Sequence, residues 1–185
     1  WHMEFPFGRP SILSNFMVAK EIKKYVTVSY TGEGSDELFG GYNRYLTYAS
    51  KEKKIPLVEK IRSIPSGFFQ DKGTIENFFS KNTSRFFDNQ NNPLKAFEKV
   101  VKPSNASLLN KVLFFEIKTE IPGAQTWRID RTGSAHAVEL REPFLDYRLV
   151  EFGLSIPANL KINHQNHPIK KYILQKLASE FLPEE

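Results

Sequence analysis

The 185-residue chain contains no cysteine. This excludes disulfide bonds, thiolate metal sites and a cysteine nucleophile within it. No apolar run approaches the roughly 18 residues that a membrane span needs. No charged segment followed by an apolar one marks a signal peptide. We therefore expect a cytoplasmic protein without membrane attachment.

The chain also has little excess of one charge over the other, since its formal net charge is only +5. A basic balance can indicate nucleic acid or a smaller polyanion such as ATP. The lysines and arginines are scattered, and their longest cluster is Lys51, Lys53 and Lys54. Scattered charge usually solvates a surface, so we expect no nucleic-acid partner.

Hydrophobic spacing predicts many helices and a single strand. The β-branched and aromatic run at 26–31 predicts a buried strand that ends at Gly32. Residues 128–138 are poor in apolar side chains and are interrupted by a glycine. Residues 51–105 give the weakest indication of secondary structure, and within them we expect short helices with irregular links over 68–92. Helices are predicted from Ser11 as N-cap, from the turn 32–41 through Ala49, over 108–117, after Asp146 as N-cap, and from Pro168.

A lone strand cannot satisfy the backbone groups on both of its edges. Either a second strand escapes detection or the partner strands lie outside this chain. The predicted fold class is α/β, mostly helical with few strands.

The segment that carries chemistry runs from Thr31 to Tyr42, T-G-E-G-S-D-E-L-F-G-G-Y, directly after the predicted strand. Ligands of open α/β sheets bind at the carboxyl ends of strands, glycines permit close approach, and a helix N-terminus offers free N–H groups. Glu33, Asp36 and Glu37 suit Mg²⁺ bridged to phosphate, or a base facing an amine. The residues alone equally allow a glycine-rich turn whose acidic side chains favour a helix start.

This segment resembles the S-G-E-G-x-D-E-x-F-G-G-Y signature of asparagine synthetases, with Thr31 in place of the usual serine. Residues 4–11 resemble the family's D-E-P-F-G-D-P-S loop. Residues 130–146 resemble D-R-x-S-M-A-H-S-L-E-x-R-x-P-F-L-D, with a threonine, a glycine and a serine at 132–134 where methionine–serine–methionine is common. Residues 171–174 and 182–185 resemble the late K-Y-I-L-R and L-P-E-E segments. The motifs follow the family's order across nearly the whole chain.

The resemblance implies that residues 1–185 are part of the synthetase domain of a glutamine-dependent asparagine synthetase, with an adenine-nucleotide α-hydrolase-like (ATP pyrophosphatase) fold. In that family a glutaminase domain releases ammonia. The synthetase domain adenylates the aspartate β-carboxylate with ATP and Mg²⁺, and ammonia then displaces AMP. The implied partners are aspartate, ATP, ammonia from glutamine and the remainder of the parent chain, and a homodimer is allowed.

The resemblance also assigns roles by motif position. Glu33 is expected to take a proton from the attacking ammonia, and Asp36 to help hold Mg²⁺. Arg128 is expected near the phosphates, where removing its charge would weaken ATP chemistry more than folding. Its alternative role is that of a surface or core-rim arginine. The residues expected to contact the nucleotide are Thr31, Gly32 and Gly34.

The remaining conspicuous side chains are interpreted as structural. Glu139 and Arg141 are expected to form an ion pair, Arg44 and His136 to belong to the surface or scaffold, and Lys171 to be an ordinary basic residue at a helix start. The family's S-G-G-x-D-S loop, glutaminase cysteine and W-R-x-K segment do not occur in the chain. We therefore expect the isolated chain to make no asparagine.

Two alternatives stay open at this point. The signature serves adenylation in general, so a relative acting on another carboxylate would share it; β-lactam synthetases, lasso-peptide cyclases and amidotransferases of polysaccharide pathways are examples. A non-catalytic helical module that retains the loop is the alternative from another class.

Overall fold

The computed structural model describes residues 2–4, 9–50, 99, 105–164 and 167–183, so the helices expected over 68–92 lie outside it. In the described part, helices outnumber strands. The helices are α1 (Ser11–Ile22), α2 (Ser35–Phe39), α3 (Arg44–Ser50), α4 (Leu108–Glu120), α5 (Thr126–Ser134), α6 (Tyr147–Ser155), α7 (Ala158–Lys161) and α8 (Tyr172–Ala178). The strands are β1 (Val28–Tyr30) and β2 (Glu139–Arg141). None of the helices in these ranges is long and apolar enough to cross a bilayer.

The two strands form a parallel pair. Val28 is in register with Glu139 and Tyr30 with Arg141. One further bond extends the ladder, because the Thr31 N–H donates to the Arg141 carbonyl at 2.8 Å. The sequence pattern missed β2, which is only three residues long. Its discovery means that at least one partner of β1 lies inside the chain.

The prediction that β1 is a buried strand is wrong. Val28 is 39% exposed and Tyr30 is 71% exposed. Strand propensity reports how a side chain fits a pleated surface, and it does not by itself report burial. Within the described residues the sheet has no strand other than β1 and β2, so most of the apolar surface of β1 stays open to solvent.

The larger core cluster joins α3 to α4. Leu109, Val112 and Leu113 are buried at three- and four-residue spacing on α4, which confirms the helix predicted over 108–117. Tyr45 and Tyr48 pack on them from α3. This cluster supports the polypeptide immediately after the chemistry-bearing segment.

A second cluster fixes α2 itself. Leu38 and Phe39 are buried against Ile156, which follows α6. Gly153 of α6 lets the two helices approach, since a Cβ there would meet Leu38 Cδ2 at 3.1 Å. The short helix that begins at Ser35 is therefore anchored through its apolar face.

A π-helical segment, Ile121–Gln125, connects α4 to α5 without a break. The low apolar content of residues 128–138 does not mark a loop, because α5 stays helical through Ser134. The π-helical segment places Gln125 beside Glu37, and Gln125 Nε2 donates to Glu37 Oε1 at 2.5 Å. Such π segments are frequent near functional sites, and this one ties the middle of the chain to α2.

Three helix boundaries differ from the sequence prediction. Gly40, with φ of 74°, ends α2, so the expected helix through Ala49 is two helices. Ser11 is the first residue of α1 and not its N-cap. The last helix begins at Tyr172 after Lys171, well beyond Pro168. The predicted cap at the start of α6 is confirmed, because the carboxylate of the N-cap residue Asp146 accepts from the Arg148 N–H at 2.9 Å.

We predict that Leu38→Ala lowers the free energy of unfolding by about 2–5 kcal/mol, because it removes a fully buried side chain from the contact between α2 and α6. The matched control is Leu13→Ala on α1, where the side chain is 72% exposed and the expected change is within about 0.5 kcal/mol. Denaturant unfolding followed by circular dichroism measures both. Equal changes in the two variants would contradict the anchoring of α2.

Candidate active site

The turn between β1 and α2 carries most of the predicted site residues. Thr31 lies at the carboxyl end of β1, and its N–H is bonded to the Arg141 carbonyl across the sheet. Since α2 has only five residues, it presents no developed helix dipole to an anion. This agrees with the preference of the acidic residues for a metal–nucleotide site over a simple phosphate cradle. The site depends on side chains.

The two predicted nucleotide-contacting glycines have different environments. Gly34 is buried with φ of 87°, and a Cβ there would overlap the side chain of Leu145. Its lack of a side chain is thus required by backbone conformation and packing. Gly32 is exposed, and a Cβ on it would meet no atom of the described residues within 4 Å. Gly32 therefore has room for a ligand, and both nucleotide contacts remain predictions.

Glu33 and Arg128 come together, although 95 positions separate them in sequence. Arg128 Nη2 donates to Glu33 Oε1 at 2.6 Å, and the two side chains are 9% and 21% exposed, respectively. The guanidinium also reaches α1, because Nη1 donates to Ser11 Oγ at 2.9 Å. With its amide oxygen facing the guanidinium, Asn15 accepts from Nε at 3.1 Å.

Arg128 is consequently a buried connector as well as a cation of the site. With Asn15 in that orientation, each of its three nitrogens has a partner in the protein. The expectation that loss of its charge would leave folding largely unaffected is revised, because a buried ion pair that loses one member leaves the other uncompensated. The interpretation of Arg128 as a core-rim arginine matches this geometry.

Asp36 is paired with Lys171, which the sequence analysis interpreted as an ordinary basic residue at a helix start. Lys171 Nζ lies 2.9 Å from Asp36 Oδ1 and donates to Ser35 Oγ at 3.0 Å. Lys171 has a left-handed backbone with φ of 49°, uncommon for a residue with a side chain. The pair packs against Gly41, where a Cβ would overlap both side chains. Lys171 is thus more than an ordinary helix-start lysine, and its K-Y-I-L motif was the available signal.

The donor set limits how Mg²⁺ can bind. Within the described ranges no three His, Cys, Asp or Glu side chains gather in an arrangement that could hold a metal ion. Asp36, the predicted metal ligand, is about one-third exposed. Mg²⁺ is often held by one or two carboxylates together with substrate phosphates. Asp36 fits that shared kind of site and does not fit one formed by protein ligands alone.

Beneath the turn, Glu37 is buried. It accepts hydrogen bonds from Tyr42 Oη at 2.9 Å and from Gln125 Nε2 at 2.5 Å. Burial raises the pKa of Glu37, and the nearby charge of Asp36 raises it further. Because the folded-state pKa is raised, the contribution of this group to stability is present at low pH and is lost as pH rises through that pKa. Glu37 supports the turn from below.

The residues interpreted as structural have structural contacts. Arg141 Nε donates to Glu139 Oε1 at 2.8 Å on the exposed strand, which confirms that pair. Arg44 Nη2 donates to Glu116 Oε2 at 2.6 Å and joins α3 to α4. The rings of His136 and Phe16 lie 4.3 Å apart, centroid to centroid. Arg44, His136 and the pair Glu139–Arg141 therefore belong to the scaffold around the site.

A further carboxylate, Glu142, was not singled out by sequence reasoning. It directly follows β2, just as Thr31 directly follows β1, so both residues emerge at the same edge of the parallel pair. Burial raises the pKa of Glu142, and the negative charges of Glu33 and Asp130 raise it further, while Arg128 opposes them. The position after a second parallel strand would have been the signal, had β2 been predicted.

Comparison with known proteins identifies the class of protein. The family model described as Asparagine synthase matches residues 1–185. The chain therefore belongs to the asparagine synthase family, as the sequence motifs predicted.

Individual relatives agree with this assignment. Asparagine synthetase [glutamine-hydrolyzing] 1 of Bacillus subtilis is 31% identical, over 100% of this chain and 33% of the relative. A putative asparagine synthetase [glutamine-hydrolyzing] of Mycobacterium tuberculosis is 26% identical, over 99% of this chain and 32% of the relative. The chain thus spans about a third of the length of these curated relatives. No solved structure gives a significant match.

We predict that Arg128→Met lowers the free energy of unfolding by about 1–3 kcal/mol, since it removes charged hydrogen bonds at a buried site. In a double-mutant cycle, Glu33→Gln should show a coupling of about 0.5–3 kcal/mol with Arg128→Met. The same cycle on the exposed pair Arg131–Glu4 is the control, with expected coupling below about 1 kcal/mol. Additive effects at Arg128 and Glu33 would show that the ion pair contributes nothing to folding.

Proposed function

We propose that the protein containing this chain synthesises asparagine from aspartate, ATP and ammonia derived from glutamine, with AMP and pyrophosphate as the other products. The chain supplies part of the synthetase domain, for which we infer an ATP pyrophosphatase-like α/β fold. Family membership and the parallel strand pair with its acidic turn support this proposal. Cytoplasmic location, the homodimer and the contact with the remainder of the parent chain stay predictions.

One observation carries the proposal: two neighbouring carboxylates, one in the turn after β1 and one at the start of α2, each have a cation from a distant part of the chain. Glu33 is paired with Arg128, and Asp36 is paired with Lys171. Arg128 contacts Glu33 through Nη2, and Lys171 contacts Asp36 through Nζ. The two carboxylates therefore have separate partners, and neither cation bridges them. A turn of this kind can serve two roles at once, one toward an amine and one toward a metal–phosphate group.

The proposed roles follow from these partners. Arg128 orients Glu33 by donating to its Oε1. The other carboxylate oxygen of Glu33 is then the atom that accepts the proton. Asp36 would contribute one oxygen to Mg²⁺, which offsets phosphate charge when bound. Lys171, released from Asp36, can donate to an anionic oxygen from the same position. Gly32 leaves space beside them.

In the amide-forming step, the ammonia nitrogen bonds to the activated carbonyl carbon of aspartate. The bond between that carbon and the phosphate oxygen breaks, and AMP leaves with the electron pair. One proton from nitrogen passes to Glu33. General-base assistance of this kind contributes about 10²–10⁴-fold to the rate.

The first test of the function is exchange of labelled pyrophosphate into ATP, catalysed by the full-length protein. We expect exchange that requires aspartate and Mg²⁺, because adenylation is reversible and precedes ammonia attack. Exchange supported by another carboxylic acid in place of aspartate would favour a different member of the adenylating enzymes. A complete lack of exchange with ATP and Mg²⁺ would favour the non-catalytic alternative.

We predict that Glu33→Gln in the full-length protein retains exchange and slows asparagine formation by about 10²–10⁴-fold, because the amide keeps the size of the side chain and cannot accept the proton. Single-turnover quenching with mass detection should reveal the accumulated aspartyl adenylate. Glu139→Gln, on the exposed strand, is the matched control and should leave both steps unchanged. Asparagine formation at the unmodified rate in Glu33→Gln would remove Glu33 from the mechanism.

A further inference from the structure

The carboxylate of Glu142 has an unsatisfied oxygen inside the protein. Its Oε1 is buried and has no hydrogen-bond partner among the described residues. A buried acceptor without a donor is costly, typically by about 1–3 kcal/mol and by more for a charged group. A ligand that brings an N–H donor to this oxygen would remove that cost.

The cations near Glu142 have other partners. Arg128, which acts on it electrostatically, donates to Ser11, to Glu33 and, with the Asn15 amide oxygen turned toward it, to Asn15, and no hydrogen bond from it to Glu142 is observed. Arg141, adjacent in sequence, is paired with Glu139 through Nε. Within the described ranges the protein therefore attracts Glu142 at a distance, and no hydrogen bond to its Oε1 is observed.

The local balance of charge is negative. Among the described residues, Glu33 and Asp130 are the carboxylates that act on Glu142, and Arg128 is the cation that acts on it. Three carboxylates against one guanidinium favour a positively charged ligand. A divalent cation would need more oxygen ligands than the described side chains gather at this point. A protonated amine, either an ammonium ion or the ammonium group of an amino acid, supplies both the positive charge and the N–H donors that the buried oxygen lacks.

The position of Glu142 joins it to the proposed site. It follows β2 at the edge where the turn containing Glu33 follows β1. Phe144 and Leu145, just after it, pack against Gly34 of that turn. The segment after β2 thus forms one wall beside the turn.

We propose that Glu142 binds the amine group of a substrate, accepting a hydrogen bond from its nitrogen beside Glu33. This inference rests on the proposed function, which requires two amines: the ammonia that attacks and the amino group of the amino-acid substrate. Both amines can donate N–H hydrogen bonds to a carboxylate, and kinetic measurements with each substrate distinguish which of the two binds Glu142.

The test compares Glu142→Gln, Glu142→Asp and the control Glu139→Gln in the full-length protein. KM for ammonium chloride and KM for aspartate are measured in asparagine synthesis, and KM for aspartate is measured again in pyrophosphate exchange. We expect Glu142→Gln to raise one of these KM values roughly ten- to a hundredfold, as for a lost hydrogen bond to a charged group. Glu142→Asp, which retains the charge, should recover much of the loss.

The two arms identify the amine. A rise confined to KM for ammonium chloride, with exchange unchanged, assigns Glu142 to the nucleophile. A rise in KM for aspartate in both assays assigns it to the amino-acid substrate. In the unmodified protein the affected KM should increase as pH falls through the raised pKa of Glu142, because the protonated acid loses its charge, and this dependence should disappear in Glu142→Gln.

Unchanged KM values for both substrates in Glu142→Gln would overturn the inference while leaving the proposed function intact. Equal loss of kcat in every assay together with a lower melting temperature would also overturn it, because it would indicate a structural role. If the unmodified protein showed no aspartate-dependent exchange, the proposed function itself would fail and this inference with it.

Discussion

The ion pair between Arg128 and Glu33 is the interaction on which the arrangement of the site depends. It joins α5 to the turn after β1, and the same guanidinium reaches Ser11 and Asn15 on α1. Its 2.6 Å geometry at a largely buried position ties three distant parts of the chain to one side chain. Because a guanidinium is planar and rigid, these donors fix direction as well as distance. The packing of α1 against α5 therefore determines the orientation of the turn.

The rest of the site is organised around that fixed turn. Below it, Glu37 with Gln125 and Tyr42 forms a polar support that the π-helical segment completes. Beside it, Lys171 holds Asp36 from the far end of the chain. A three-residue strand pair is too short to determine such positions by itself, so buried polar contacts take over that task. In this region side-chain hydrogen bonds do what backbone ladders do in larger sheets.

Sequence patterns predicted the helices with a clear apolar period and the residues within contiguous motifs. The three-residue spacing on α4 and the cap at Asp146 are local features, so they could be found without tertiary information. The exposure of β1, the formation of the short β2 and the contact between Asp36 and Lys171 depend on residues far away in sequence. Glu33 and Arg128 were each predicted as site residues, yet their pairing follows only from how α5 packs. The sequence could not distinguish an arginine that binds phosphate from an arginine with a structural role at position 128.

The order of pairing in the small sheet has a consequence for how the protein is made. β1 and β2 are parallel neighbours, yet β2 lies about 110 residues downstream of β1, an interval that takes about 5–20 s to synthesise at ribosomal rates. During that interval β1 emerges with Tyr30 and Val28 uncovered, before its partner strand β2 has been made. Such a strand is a candidate for chaperone contact on the ribosome, since unpaired apolar edges promote aggregation.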